Sequence, residues 1–84
     1  MKVNDIIKNK PYLAWDVKDL SALSDESVLE RVLNYGNWDD VQGYIKIKGI
    51  LDTKRIFNKL LNKKRVNLFP EIRHYFTIYF NRHA

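Results

Sequence analysis

With no cysteine in the chain, acid–base or metal chemistry must come chiefly from two histidines, ten carboxylates and fifteen Lys and Arg side chains. Their spacing assembles no centre. His74 and His83 fall about 180° apart around a single helix, so one metal ion does not take both. Glu71-x-x-His74 has the i, i+3 spacing of half a di-iron site, but that fold uses the motif twice and adds two carboxylates from other helices. Asp39 and Asp40 are adjacent and diverge by about 100° on a helix, where both suit the positive end of its dipole. Asp16 and Asp19 belong to turns. Gly36, Gly43 and Gly49 form no phosphate loop, and no nucleophile elbow is present. No catalytic, cofactor-binding or metal-ligating residue is assigned, and the chain is expected to be a binder, not an enzyme.

Charge is the sharper signal. The formal net charge is +5, and residues 44–65 carry eight basic side chains against the single acid Asp52. Lys54, Arg55 and Lys59, followed by Lys63, Lys64 and Arg65, make a candidate contact for nucleic acid or for an acidic partner. The plainer account is a solvated polar face whose last three cations favour a helix C-terminus. A helix-turn-helix over 38–63 with Gly49 in its turn is a poor fit. Ile45 stands where that motif takes a small residue, and Arg55 where it takes an apolar one.

The C-terminal segment supplies the other candidate. Ile72, Tyr75, Phe76, Tyr79 and Phe80 span about 140° of a helix, wider than the roughly 100° stripe a core-facing helix needs, and Ile78 widens the arc further. Much of this surface is core. The excess marks Tyr75, Ile78 and Tyr79 as a candidate protein interface, with a hetero-partner or with a second copy in a homodimer. Trp15 and Trp38 are expected in the core.

The elements behind these residues follow from periodicity. Val28, Leu29, Val32 and Leu33 form one helical stripe, and Ile56, Phe57, Leu60 and Leu61 another in nearly the same register. Only Asn34 and Asn62 extend that match, so a true repeat is not expected. Ser24 caps a helix over 25–35 that stops at Gly36. Asn37 caps the next, which opens at Trp38. Tyr44 to Lys48 alternates as a strand would but lacks a convincing pairing partner, so helix is preferred. Asp52 is expected to cap a helix running to about 63, and Pro70 to open the last. A short helix over 3–9, an extended segment from Pro11 to Asp16 and a turn around Ser21 complete the N-terminal part. The expected fold is all-α: a compact bundle of about four to five short helices in one domain over 1–84, with 1–23 as a short helix plus extended segment and 24–84 as the helical core. An 84-residue chain buries only about 60–65% of its surface. No continuous apolar run suits a signal peptide or a membrane span, so a cytoplasmic location is expected.

Trp15-Asp16, then Arg31-Val32-Leu33-x-x-Gly36-x-Trp38-x-Asp40, then Pro70-Glu71-Ile72 leading to Phe76 and Phe80, resembles a family of small, uncharacterised bacterial helical proteins. Members are often encoded beside AbiEii-type nucleotidyltransferase toxins. The resemblance covers most of residues 13–82 and rests on helix-packing and capping residues. The basic 54–65 segment and the Phe-rich tail depart from the family pattern. What the resemblance implies is an antitoxin-like or accessory protein that binds a nucleotidyltransferase toxin.

Overall fold

The computed structural model describes residues 2–63 and 67–83. Five α-helices pack into one bundle: α1 (Asn4–Asn9), α2 (Asp25–Tyr35), α3 (Trp38–Lys48), α4 (Ile50–Leu61) and α5 (Pro70–His83), with 3-10 turns at Pro11–Ala14 and Leu20–Ala22. Every described element is helical, as the periodicity predicts.

Local chemistry sets most of the boundaries. The Ser24 hydroxyl accepts the Ser27 N–H at 3.1 Å, with Asp25 and Glu26 in the first turn. Its stripe, Val28, Leu29, Val32 and Leu33, is fully buried. Asn37 and Asp40 form a reciprocal capping box, the Asn37 side chain accepting the Asp40 N–H at 2.9 Å and the Asp40 carboxylate accepting the Asn37 N–H at 3.0 Å. Tyr44 to Lys48 is helical. Tyr44 is 0% exposed and its hydroxyl donates to the Asp25 carbonyl at 2.7 Å, so the phenol is satisfied inside the core. That burial pushes the Tyr44 phenol well above its ordinary pKa of 10.0.

Two expected boundaries are corrected. Asp52 does not cap α4. Gly49, at φ +87°, ends α3 and starts α4 without a turn between them, a backbone conformation that suits glycine. Its N–H donates to the Ile45 carbonyl at 2.6 Å, while its carbonyl accepts the Thr53 N–H at 3.0 Å and the Thr53 hydroxyl at 2.7 Å. Asp52 therefore sits in the first turn and pairs with Arg55 at 2.9 Å. The one-residue corner also differs from the three- to four-residue turn of a helix-turn-helix. The second correction concerns Pro11 to Asp16, where residues Pro11–Ala14 coil into a 3-10 turn. Proline at its first position lacks the N–H that such a start leaves unpaired.

The N-terminal part is fastened to the core by polar contacts. The Asn4 amide donates to the carbonyls of Leu20 and Leu23 at 2.9 and 3.0 Å, and the Lys10 ammonium meets the buried Asp40 carboxylate at 2.6 Å. That pairing raises the Lys10 pKa above 10.5. Val3, Ile7 and Leu13 complete the core from this side. At the other end Phe57 of α4 packs on Phe80 of α5, ring centroids 5.1 Å apart, with both rings 1% exposed. Each such burial contributes about 1.5–3 kcal/mol.

Candidate functional site

The surface beside α5 is built from two helices. Phe76 and Phe80 point inward and are buried, which turns Tyr75 and Ile78 toward solvent at 53% and 49% exposure. Trp38 joins them from the start of α3. It is 46% exposed, because side chains in a first helical turn lean back past the helix end. Its indole meets Tyr75 and Tyr79 edge-on, with centroids 6.4 and 5.4 Å apart, and stacks on Phe76 at 6.4 Å. Tyr79 is half-buried, lies 4.6 Å from the His83 ring, and its hydroxyl accepts from the Gln42 amide at 3.4 Å. The patch is thus anchored from below by core rings and open above.

The three interface residues expected from sequence are brought together here, with Tyr79 the most enclosed. Trp38 is the addition, and it corrects the expectation of a core tryptophan. Its position directly after the Asn37 cap is the sequence signal for that exposure. Trp15 is also not in the core: it is 86% exposed. Next to it Asp16 grips Arg31, with Nη1 donating to Oδ1 at 2.8 Å and Nη2 to Oδ2 at 3.3 Å, and Nη1 also reaching the Leu13 carbonyl at 3.3 Å. The Arg31 guanidinium, followed by an intrinsic backbone hydrogen bond, holds the Asp16 carboxyl below its ordinary 3.8. The W-D and R-V-L residues are therefore a tie between the N-terminal turn and α2, with the indole left outside.

Asn34, one turn further along α2, holds the approach to α5. Its amide donates to the Asn67 carbonyl at 2.9 Å and accepts the Phe69 N–H at 3.1 Å. Tyr35 meets Phe69 edge-on at 5.6 Å.

The basic residues do not converge on one open face. Arg55 is engaged with Asp52, and Lys63 with Glu26 of α2 at 3.4 Å; Lys48, earlier in the same run, meets Asp25 at 2.5 Å. Arg55 and Lys59 line a shallow depression of about 300 Å³ that also holds Asp25, Glu26 and Asp52. Lys54 lies about 140° around α4 from Lys59. Lys64 and Arg65 fall outside the described residues. Among the described residues no three His, Asp or Glu side chains gather as a metal site, and no helix is long and apolar enough to cross a membrane.

The class defined by this geometry is an all-α bundle carrying a solvent-open aromatic patch where its last helix meets the start of α3. No protein-family model, curated protein or solved structure matches the chain.

Proposed function

We propose that this chain is a non-catalytic protein-interaction module that docks its partner on the patch of Trp38, Tyr75, Ile78 and Tyr79. The observation that carries the reading is the patch itself: Trp38 and Tyr75, each about half exposed, lie against the buried Phe76 ring, and the half-exposed Ile78 follows Tyr75 three residues along α5. Aromatic anchors on a rigid base are the residue types that dominate binding energy at protein interfaces. The family resemblance suggests the partner, a nucleotidyltransferase toxin of the AbiEii type, and hence an antitoxin-like or accessory role. The rival reading, a small basic nucleic-acid-binding domain, has less support. Acids from α2 and α4 already face Lys63 and Arg55.

The test is co-purification with the tagged chain from its native host, after nuclease treatment at moderate salt, read by mass spectrometry. A near-stoichiometric nucleotidyltransferase that is lost with Tyr79→Ala, at unchanged helical circular dichroism, is the expected result. No protein partner in the eluate, together with duplex DNA bound by the purified chain at an affinity that falls about 0.9 log unit per phosphate contact for each log unit of salt, overturns the reading in favour of the rival.

A further inference from the structure

The exposed side of α5 has a register that is its own complement. Glu71, Tyr75, Ile78 and Arg82 are spaced 4, 3 and 4 residues apart, the spacing of a coiled-coil seam that keeps one face toward a partner helix. All four are exposed, and neither Glu71 nor Arg82 has an ion-pair partner among the described residues. The acid stands in the first turn of α5 and the base in its last. Laid antiparallel against a second α5, with a two-fold axis passing between Phe76 and Thr77, the stripe pairs with itself. Glu71 then faces the second copy's Arg82, Tyr75 faces its Ile78, and the reciprocal pairs repeat on the far side of the axis. Two antiparallel helices also oppose their macrodipoles favourably.

We infer that the partner seated on this stripe is a second copy of the chain, forming a two-fold symmetric dimer through antiparallel α5 helices with reciprocal Glu71–Arg82 pairs. The inference rests on the interaction-module reading and names one partner for the same face. Two features of the stripe select a second copy over an arbitrary protein. The charges at the two ends of the stripe are opposite, so two chains of net charge +5 meet through a neutral strip. At the centre the same antiparallel register covers both half-exposed side chains, Tyr75 by the second copy's Ile78 and Ile78 by its Tyr75. The seam from Glu71 to Arg82 is about 16 Å long at 1.5 Å per residue, so the contact belongs to the small, weak class of interfaces.

Sedimentation equilibrium of the purified full chain, from about 10 µM to about 1 mM to suit so small an interface, tests it. The mass should rise with concentration from the 10.1 kDa of one chain toward twice that value. Glu71→Arg and Arg82→Glu each place like charges at both ends of the seam and should weaken self-association about tenfold or more. An equimolar mixture of the two variants restores both opposite-charge pairs, in a heterodimer, and should recover the two-chain mass. Effects of either substitution on α5 itself would persist in the mixture, so recovery separates pairing from folding. A mass of one chain throughout overturns the dimer and leaves the interaction-module reading to its own partner test. A dimer that survives both charge reversals and Ile78→Asp overturns the α5 seam, and the interaction-module reading again stands or falls by its own partner test. A mixture that fails to recover, where the parent chain dimerises and each variant does not, overturns the antiparallel register.

Discussion

Replacing Asn34 by alanine should loosen α5 without touching a buried side chain. Asn34 imitates a backbone unit, donating to Asn67 and accepting from Phe69, and so holds the approach to α5 against α2. A net hydrogen bond contributes about 0.5–1.5 kcal/mol, and solvent exposure places both of these in the lower half, for a total of about 1–2 kcal/mol. Alanine regains about 0.5 kcal/mol of helix propensity. The net loss is then about 1 kcal/mol, or about 4–8 °C in Tm for a domain of this size. Thermal circular dichroism gives the magnitude, and amide exchange at Phe69 gives the mechanism. Asn34→Asp keeps an acceptor for the Phe69 N–H and should retain its protection, whereas Asn34→Ala should lose it. A Tm for Asn34→Ala within about 1 °C of the parent, with Phe69 still protected, would refute the clamp.

Gly36→Ala should destabilise the α2–α3 junction by about 1–3 kcal/mol, because the new Cβ would lie 2.7 Å from the Val32 carbonyl oxygen and 3.0 Å from the Asp40 carboxylate; an unchanged midpoint in urea would show that the junction yields. Acid should weaken the fold through Asp16 and Asp19, whose carboxyls are held below 3.8 by the Arg31 guanidinium and the Ser21 hydroxyl respectively. A depressed folded-state pKa gives stability that is present above the unfolded value and lost as pH falls through the folded one. The Tm difference between the parent and Asp16→Asn should therefore narrow below about pH 4, and a gap that stays constant down to pH 2 contradicts the Asp16–Arg31 tie.

Helices whose boundaries rest on neighbouring residues were legible in the sequence. Ser24 and Gly36 bracket α2 at 25–35, Asn37 opens α3, and Pro70 opens α5, as the capping rules require. The α4 start was not, because a good capping residue, Asp52, competed with a glycine whose positive φ cannot be seen in its letter. Tyr75 and Ile78 emerged from the width of an apolar arc, a property of one helix. Trp38 required knowing that α3 begins beside α5, and the pairing of Lys63 with Glu26 required knowing that α2 runs beside α4. Long-range partners of this kind leave no local trace. The indole of Trp15 faces outward while its neighbour Asp16 makes the tie to Arg31, an arrangement that composition alone does not reveal.

The corner at Gly49 gives the chain no slack. One residue closes α3 and opens α4, with both of its backbone polar groups already engaged. A residue inserted there would turn α4 by about 100° and advance it by about 1.5 Å relative to α3, carrying Phe57 and Leu60 off the buried face they now occupy. A deletion would do the same in the opposite sense. Residues 38–61 therefore behave as a cassette of fixed length, and insertions, fusion points or chain breaks that this protein tolerates must fall outside it.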